Sequence, residues 1–175
     1  MNIAAFPHDT SSTAKFQSLI EVDMEIDVFG SNWSHCDRLS SYVARMISHN
    51  RTDSLLYSNL FSSALNELLE TIFRTHEGSG KFSCSVRRNG AVDRVELILP
   101  CSRGQAGFYR DTVELARGPD ATEKYREMLF SSDVVDTRIG LFELAVDYSA
   151  DISVETDGSD TIKLIAELAL EDAVN

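Results

Sequence analysis

Between Leu19 and Gly30 the chain reads LIEVDMEIDVFG. Ile20, Val22, Met24, Ile26 and Val28 fall on one side of an extended backbone, and Glu21, Asp23, Glu25 and Asp27 on the other. Successive side chains of a strand point to opposite faces, so a period of two sustained this long predicts a strand with one dry and one wet face. Such a strand cannot stand alone. It needs neighbours in a sheet and a second layer over its apolar side. The carboxylates on its wet side also make it a poor template for pairing with the edge of another sheet.

The rest of the chain supplies the neighbours and the second layer. SNWSHCDRLSSYVARMISHN predicts a helix capped by Ser31, Asn32 or Ser34, with Leu39, Val43, Met46 and Ile47 on one face. A longer helix follows, capped by Thr52 or Asp53 and ended by EGSG. Its broad stripe comprises Leu56, Leu60, Phe61, Ala64, Leu65, Leu68, Leu69 and Ile72. KFSCSVRRNG and DRVELILP predict a hairpin turning at Asn89-Gly90, where positive φ is favoured. Cys101 to Arg138 reads mainly as helix, divided at Gly118-Pro119, with Pro119 suited to the start of the second piece. RIGLFELAVDYSA predicts a short helix, and DISVETDG with SDTIKLIAELAL a closing hairpin around Asp157-Gly158. The order predicts an α+β fold: a two-layer α/β sandwich with one mixed, mainly antiparallel sheet and the helices on one face. Residues 1–18 are expected to be a flexible lead-in and residues 19–175 one domain.

Several function classes lose support on composition. With 28 acids against 16 bases the formal charge is −12, whereas nucleic-acid binding needs clustered Lys and Arg. The Arg87-Arg88 pair fits a charged hairpin turn. Cys36, Cys84 and Cys101 are scattered and odd in number, which predicts neither a disulfide framework nor a zinc ribbon. His8, His35, His49 and His76 show no metal-ligand spacing, and no metal site is expected. P-loop, Rossmann and serine-hydrolase motifs do not occur. The start of the sequence has no signal-peptide pattern, and no apolar run approaches a membrane span of about 20 residues. The expected location is the cytoplasm. Asp133, Asp136, Asp147 and Asp151 read as solvated acids.

Three patterns carry chemistry. In NELLETIFR, Glu67 and Thr71 are four apart and share a helix face, with Arg74 one turn on. After the strand ending near Leu99 comes PCSRGQAG, with Gly104 and Gly107. Near the end stands RIGLFELAVDYSADISVETDGSDTIKLIAEL, with Arg138, Gly140 and Leu141. Together with the element order, these resemble the histidine-kinase-like ATPase superfamily over roughly residues 19–170, and within it small bacterial regulators of the anti-sigma-factor kinase type.

The resemblance implies a role for each position. Glu67 matches the family's catalytic base, Thr71 stands where asparagine binds Mg²⁺, and Arg74 takes the basic position. Gly104 lies in the adenine-side loop, where Pro100 or Cys101 replaces the aspartate that accepts the adenine amino hydrogen. Gly140 belongs to the phosphate turn, whose preceding glycine is here Arg138. Losing a hydrogen bond to a charged acceptor costs about 1.5–3 kcal/mol, so three altered positions predict that ATP and Mg²⁺ bind weakly or not at all. The expected function is a signalling regulator acting by protein–protein contact, without cofactor, on an anti-sigma-antagonist-like protein or a response regulator. Trp33 and Tyr42, near the exposed side of their helix, suit an interface, and a homodimer is also expected. The alternative is an active serine/threonine kinase of the anti-sigma type, the only case requiring Mg-ATP. A structural adaptor unrelated to the ATPases is a third reading.

Overall fold

The computed structural model describes residues 15–76, 78–131, 134–157 and 160–170. Strand β1 (Gln17–Glu25) leads into a short helix α1 (Ile26–Gly30). Helices α2 (Ser34–Ser48) and α3 (Ser54–Thr75) follow, then β2 (Lys81–Asn89) and β3 (Val92–Pro100). Next come α4 (Arg103–Ala116), α5 (Ala121–Phe130) and α6 (Ile139–Val146), and finally β4 (Asp151–Asp157) and β5 (Thr161–Leu168). The strands form one five-stranded sheet in the order β1-β2-β3-β5-β4, with every pairing antiparallel.

The alternation that predicts β1 also explains the sheet. Ile20, Val86, Val95, Ala166 and Ile152 lie in register across all five strands, as do Val22, Cys84, Leu97, Leu164 and Val154. These rows face the helices and join Leu65, Leu68, Leu69 and Ile72 of α3 in one core. The opposite rows are mainly polar, with Ile98 and Ile165 among them. Glu96 sits there almost fully buried, within ion-pair distance of Arg87, Arg94 and Lys163. A carboxylate in the middle of a sheet is tolerated when several cations offset its desolvation. The result is the predicted two-layer sandwich.

Local departures have physical causes. The strand predicted to run to Val28 stops at Glu25, and Ile26 and Phe29 bury as one face of α1 while Val28 stays 53% exposed. Period two and the helical pattern share Ile26, and the tertiary contact of Phe29 with Phe73 and Phe82 selects the helix. Neither Thr52 nor Asp53 caps α3 through its side chain, because Asp53 instead takes the Arg51 guanidinium at 2.8 and 2.9 Å. Met46 and Leu56 lie outside, not on the buried stripes. Helix α5 begins at Ala121, two residues after Pro119. In the β2–β3 turn only Gly90 takes positive φ, +59°, while Asn89 remains in the strand. A single glycine at the first central position suits a type II′ turn. Helix α4 is closed by a capping box in which the Ser102 hydroxyl accepts from the Gln105 N–H and the Gln105 side chain accepts from the Ser102 N–H.

Strand β1 begins at Gln17, so the described part of the 1–18 lead-in already enters the sheet; residues 1–14 lie outside the described residues, as do Asp133 and Gly158. Among the described residues no helix is long and apolar enough to cross a membrane.

Candidate functional site

Helix α3 packs against α2 and α6, and its apolar stripe fixes which way its polar residues point. With Leu65, Leu68, Leu69 and Ile72 turned to the core, Glu67, Glu70, Thr71 and Arg74 are directed towards α6 and the helix surface. Gly140, the second residue of α6, meets them. A Cβ at this glycine would overlap the Thr71 hydroxyl oxygen and stand 2.9 Å from the Glu67 carbonyl oxygen. The two helices can approach this closely only because position 140 has no side chain. Thr71 is fully buried and donates its hydroxyl proton to the Glu67 carbonyl at 2.9 Å. One turn on, Thr75 donates to the Thr71 carbonyl at 2.6 Å, so Tyr109 of α4 must donate its phenol proton to Thr75, 2.8 Å away. A ladder of hydroxyl groups thus ties α4 to α3.

Acids dominate the electrostatics. Glu70, 5% exposed, is held by the Asn66 amide at 2.6 Å and by a short ion pair with Arg74. Glu67 receives no hydrogen bond at its carboxyl from the described residues. Burial pushes its pKa up to about 7, with Glu143 and Glu70 adding to the rise and Arg74 opposing it. Burial likewise raises Glu143, helped by Asp147. Tyr125 of α5 donates to Asp147 at 2.9 Å, and burial followed by that bond raises the phenol's pKa. Sequence reasoning missed this second acidic side. The signal available was the i, i+4 spacing of Glu143 and Asp147 on α6, but Asp147 read as a solvated acid. It is exposed and yet bonded. Asp136, also read as solvated, is forked by Arg138 at 2.6 and 3.0 Å, which holds its carboxyl below the usual range.

The residues singled out from sequence therefore divide. Glu67, Thr71 and Gly140 meet at the α3–α6 crossing, and Arg74 adjoins them through Glu70. Arg138 caps the start of α6 but spends its guanidinium on Asp136. Gly104 lies on the exposed first turn of α4, away from the α3–α6 crossing where Gly140 meets Thr71. The Cys101 N–H donates to the Asp160 carbonyl at 2.9 Å, so the strand end before Gly104 is closed by the β4–β5 turn.

Mg-ATP fits these residues poorly. Thr71 has its hydroxyl committed and no open space before it. Arg74 and Arg138 are both paired with carboxylates. Glu67, Glu70, Glu143 and Asp147 would repel a polyphosphate, since like charges brought together in a partly desolvated place are costly. Among the described residues no group of three or more His, Cys, Asp or Glu is arranged to hold a metal ion. Two recesses lie elsewhere: one of about 220 Å³ beside Phe29, Phe73 and His76, and one of about 360 Å³ between α4 and β4 beside Arg110, Arg117 and Val154. Neither is lined by Glu67, Thr71, Arg74, Arg138 or Gly140. At Gly140 the α3–α6 junction is a tightly packed helix crossing.

No protein-family model matches the sequence, and no curated protein matches it. A chain of the SiaB-SiaC complex from Pseudomonas aeruginosa, known from its crystal structure, is similar with a TM-score of 0.62 at 14% identity. The similarity covers 87% of this chain and 91% of that one. At that identity it shows a shared fold.

Proposed function

We propose that this protein is a signalling regulator that acts by contact with another protein, through a fold derived from the histidine-kinase-like ATPases whose nucleotide site has been converted to helix packing. The observation that carries this reading is the Gly140–Thr71–Glu67 contact. It supports the reading because the positions that the resemblance gives to a metal ligand and a phosphate turn lie in close contact with each other. The fold shared with a chain of a two-protein complex supports a protein partner. An anti-sigma-antagonist-like protein or a response regulator remains the partner class that the resemblance favours, with action in the cytoplasm and with self-association as a homodimer.

One observation favours the kinase alternative. Glu67, the residue matched to the catalytic base, has a pKa near 7, where a general base is most effective. Calorimetric titration with Mg-ATP separates the two readings. The regulator reading expects no binding tighter than about 1 mM, weaker than the usual range for enzyme substrates. Low-micromolar binding that disappears in Glu67→Ala, with phosphoryl transfer to a partner, would establish the kinase instead. Sedimentation velocity tests the dimer, and a monomer at every accessible concentration would exclude it.

A further inference from the structure

Helix α2 buries Cys36, Leu39, Val43, Ala44 and Ile47. The opposite side carries Arg38, Tyr42, Arg45, Met46 and His49, all exposed, with Tyr42 at 53% and Met46 at 55%. At about 100° per residue these five fall in one stripe, roughly 16 Å long from Arg38 to His49. Neither Arg38 nor Arg45 makes an ion pair or a side-chain hydrogen bond with any described residue. The helix's one acid, Asp37, lies about 100° round from Arg38 and off the stripe. An aromatic and a methionine framed by two arginines carry the opposite sign to a chain of net charge −12. Tyr, Met and Arg are also the side chains enriched at interface cores.

We propose that the outward face of α2 docks an acidic amphipathic helix of a partner protein. The claim rests on the protein-contact reading above and names its surface. The partner helix offers apolar side chains to Tyr42 and Met46 and two carboxylates about two turns apart, matching the seven-residue spacing of Arg38 and Arg45. Charge argues against the other occupants. A two-fold pairing of α2 with the same helix of a second copy, centred between Ser41 and Tyr42, sets Arg38 against the other copy's Arg45, like charge on like. An anionic lipid surface is broad enough to repel the whole acidic molecule. A partner helix about 10–12 Å across covers only the stripe, and charges farther than a Debye length of about 8 Å are screened.

The test places a photo-crosslinking amino acid at Tyr42, and separately at Met46, in the full-length chain in its native cells, with Leu55 (76% exposed) as the control position. The expected product joins α2 to another protein, within a segment carrying two acids about seven residues apart. Arg38→Glu with Arg45→Glu should reduce that product about tenfold or more, because reversed charges repel the matched carboxylates, while circular dichroism and the melting temperature stay unchanged. Products linking only two copies of this chain, or only lipid, would overturn the proposal, as would a heteromeric product indifferent to the charge reversal. A partner captured from Leu55 but never from Tyr42 or Met46 would overturn this surface and leave the protein-contact reading standing. A chain that crosslinks to no protein from any position would overturn both.

Discussion

Replacing Gly140 with alanine tests whether the α3–α6 junction is a packing contact. The new Cβ overlaps the Thr71 hydroxyl oxygen and lies 2.9 Å from the Glu67 carbonyl oxygen. Two things must give. The Thr71 hydroxyl has to leave its acceptor in a fully buried place, and an unsatisfied buried hydroxyl costs about 1–3 kcal/mol. Helix α6 then has to move off a backbone atom by a few tenths of an ångström, carrying Leu141, Phe142 and Leu144 out of register; all three are 0–1% exposed, and overpacking of this kind costs about 1–3 kcal/mol. Alanine recovers up to about 1 kcal/mol of helix propensity. The expected net loss is about 3 kcal/mol, a fall in melting temperature of roughly 6–12 °C for a chain of this size. Urea denaturation of Gly140→Ala, Thr71→Ala and the double variant measures it. Removing the hydroxyl relieves one of the two clashes, so the double variant should be more stable than the sum of the singles predicts, by about 1 kcal/mol or more. Additive singles, or a Gly140→Ala as stable as the parent, would refute the reasoning and reopen the turn as a ligand site.

Glu67, raised from its ordinary value of 4.5 to about 7, favours the folded state when protonated. Its contribution is complete below pH 4.5 and is lost as pH rises to about 7. After allowance for solvent screening of a half-exposed group the loss is about 1–2 kcal/mol; urea midpoints at pH 5 and pH 8 should therefore converge in Glu67→Gln, and an unchanged difference would count against the shift. Asp93, 1% exposed, takes the Arg88 fork at 2.7 and 2.9 Å while Arg88 also donates to the Tyr57 hydroxyl at 3.2 Å; Asp93→Ala removes two charge-assisted hydrogen bonds and should cost about 1.5–3 kcal/mol, with the Arg88→Ala/Asp93→Ala pair losing less than the sum. Burial pushes Cys36 and Cys84 up to about 12, whereas Cys101 is partly exposed and raised by burial and Asp160; thiol titration of the native protein at pH 8 should modify Cys101 first and the other two only on unfolding, and rapid native labelling of Cys84 would contradict the sheet assignment.

The α3–α6 junction depends on which side chains stand at positions 71 and 140. A threonine at position 71 can satisfy its hydroxyl within its own helix, as Thr71 does by donating to the carbonyl four residues back. Asparagine, with a longer amide, would have to find space that Gly140 now fills.

Periodicity made most of the sandwich legible before any coordinates. The alternation from Ile20 to Met24, the apolar stripe of α3 and the Gly90 hairpin each state locally which side is dry, and a dry side has to be covered wherever it occurs. Glu67, Thr71 and Gly140 stood out through the family resemblance, which motif spacing along the chain carries. What the chain could not state is which of them meet. The end of β1 at Glu25 depends on Phe29 reaching Phe73 and Phe82, residues more than forty positions away. The state of Glu67 depends first on its burial and then on Glu143 arriving from α6, and the exposure of Met46 depends on which flank of α2 turns to the core. Secondary structure follows from side chains one to four residues apart, which a sequence displays directly. Burial, charge coupling and steric closure act between residues brought together only by folding, so the packing of Gly140 against Thr71 was decided by tertiary structure alone.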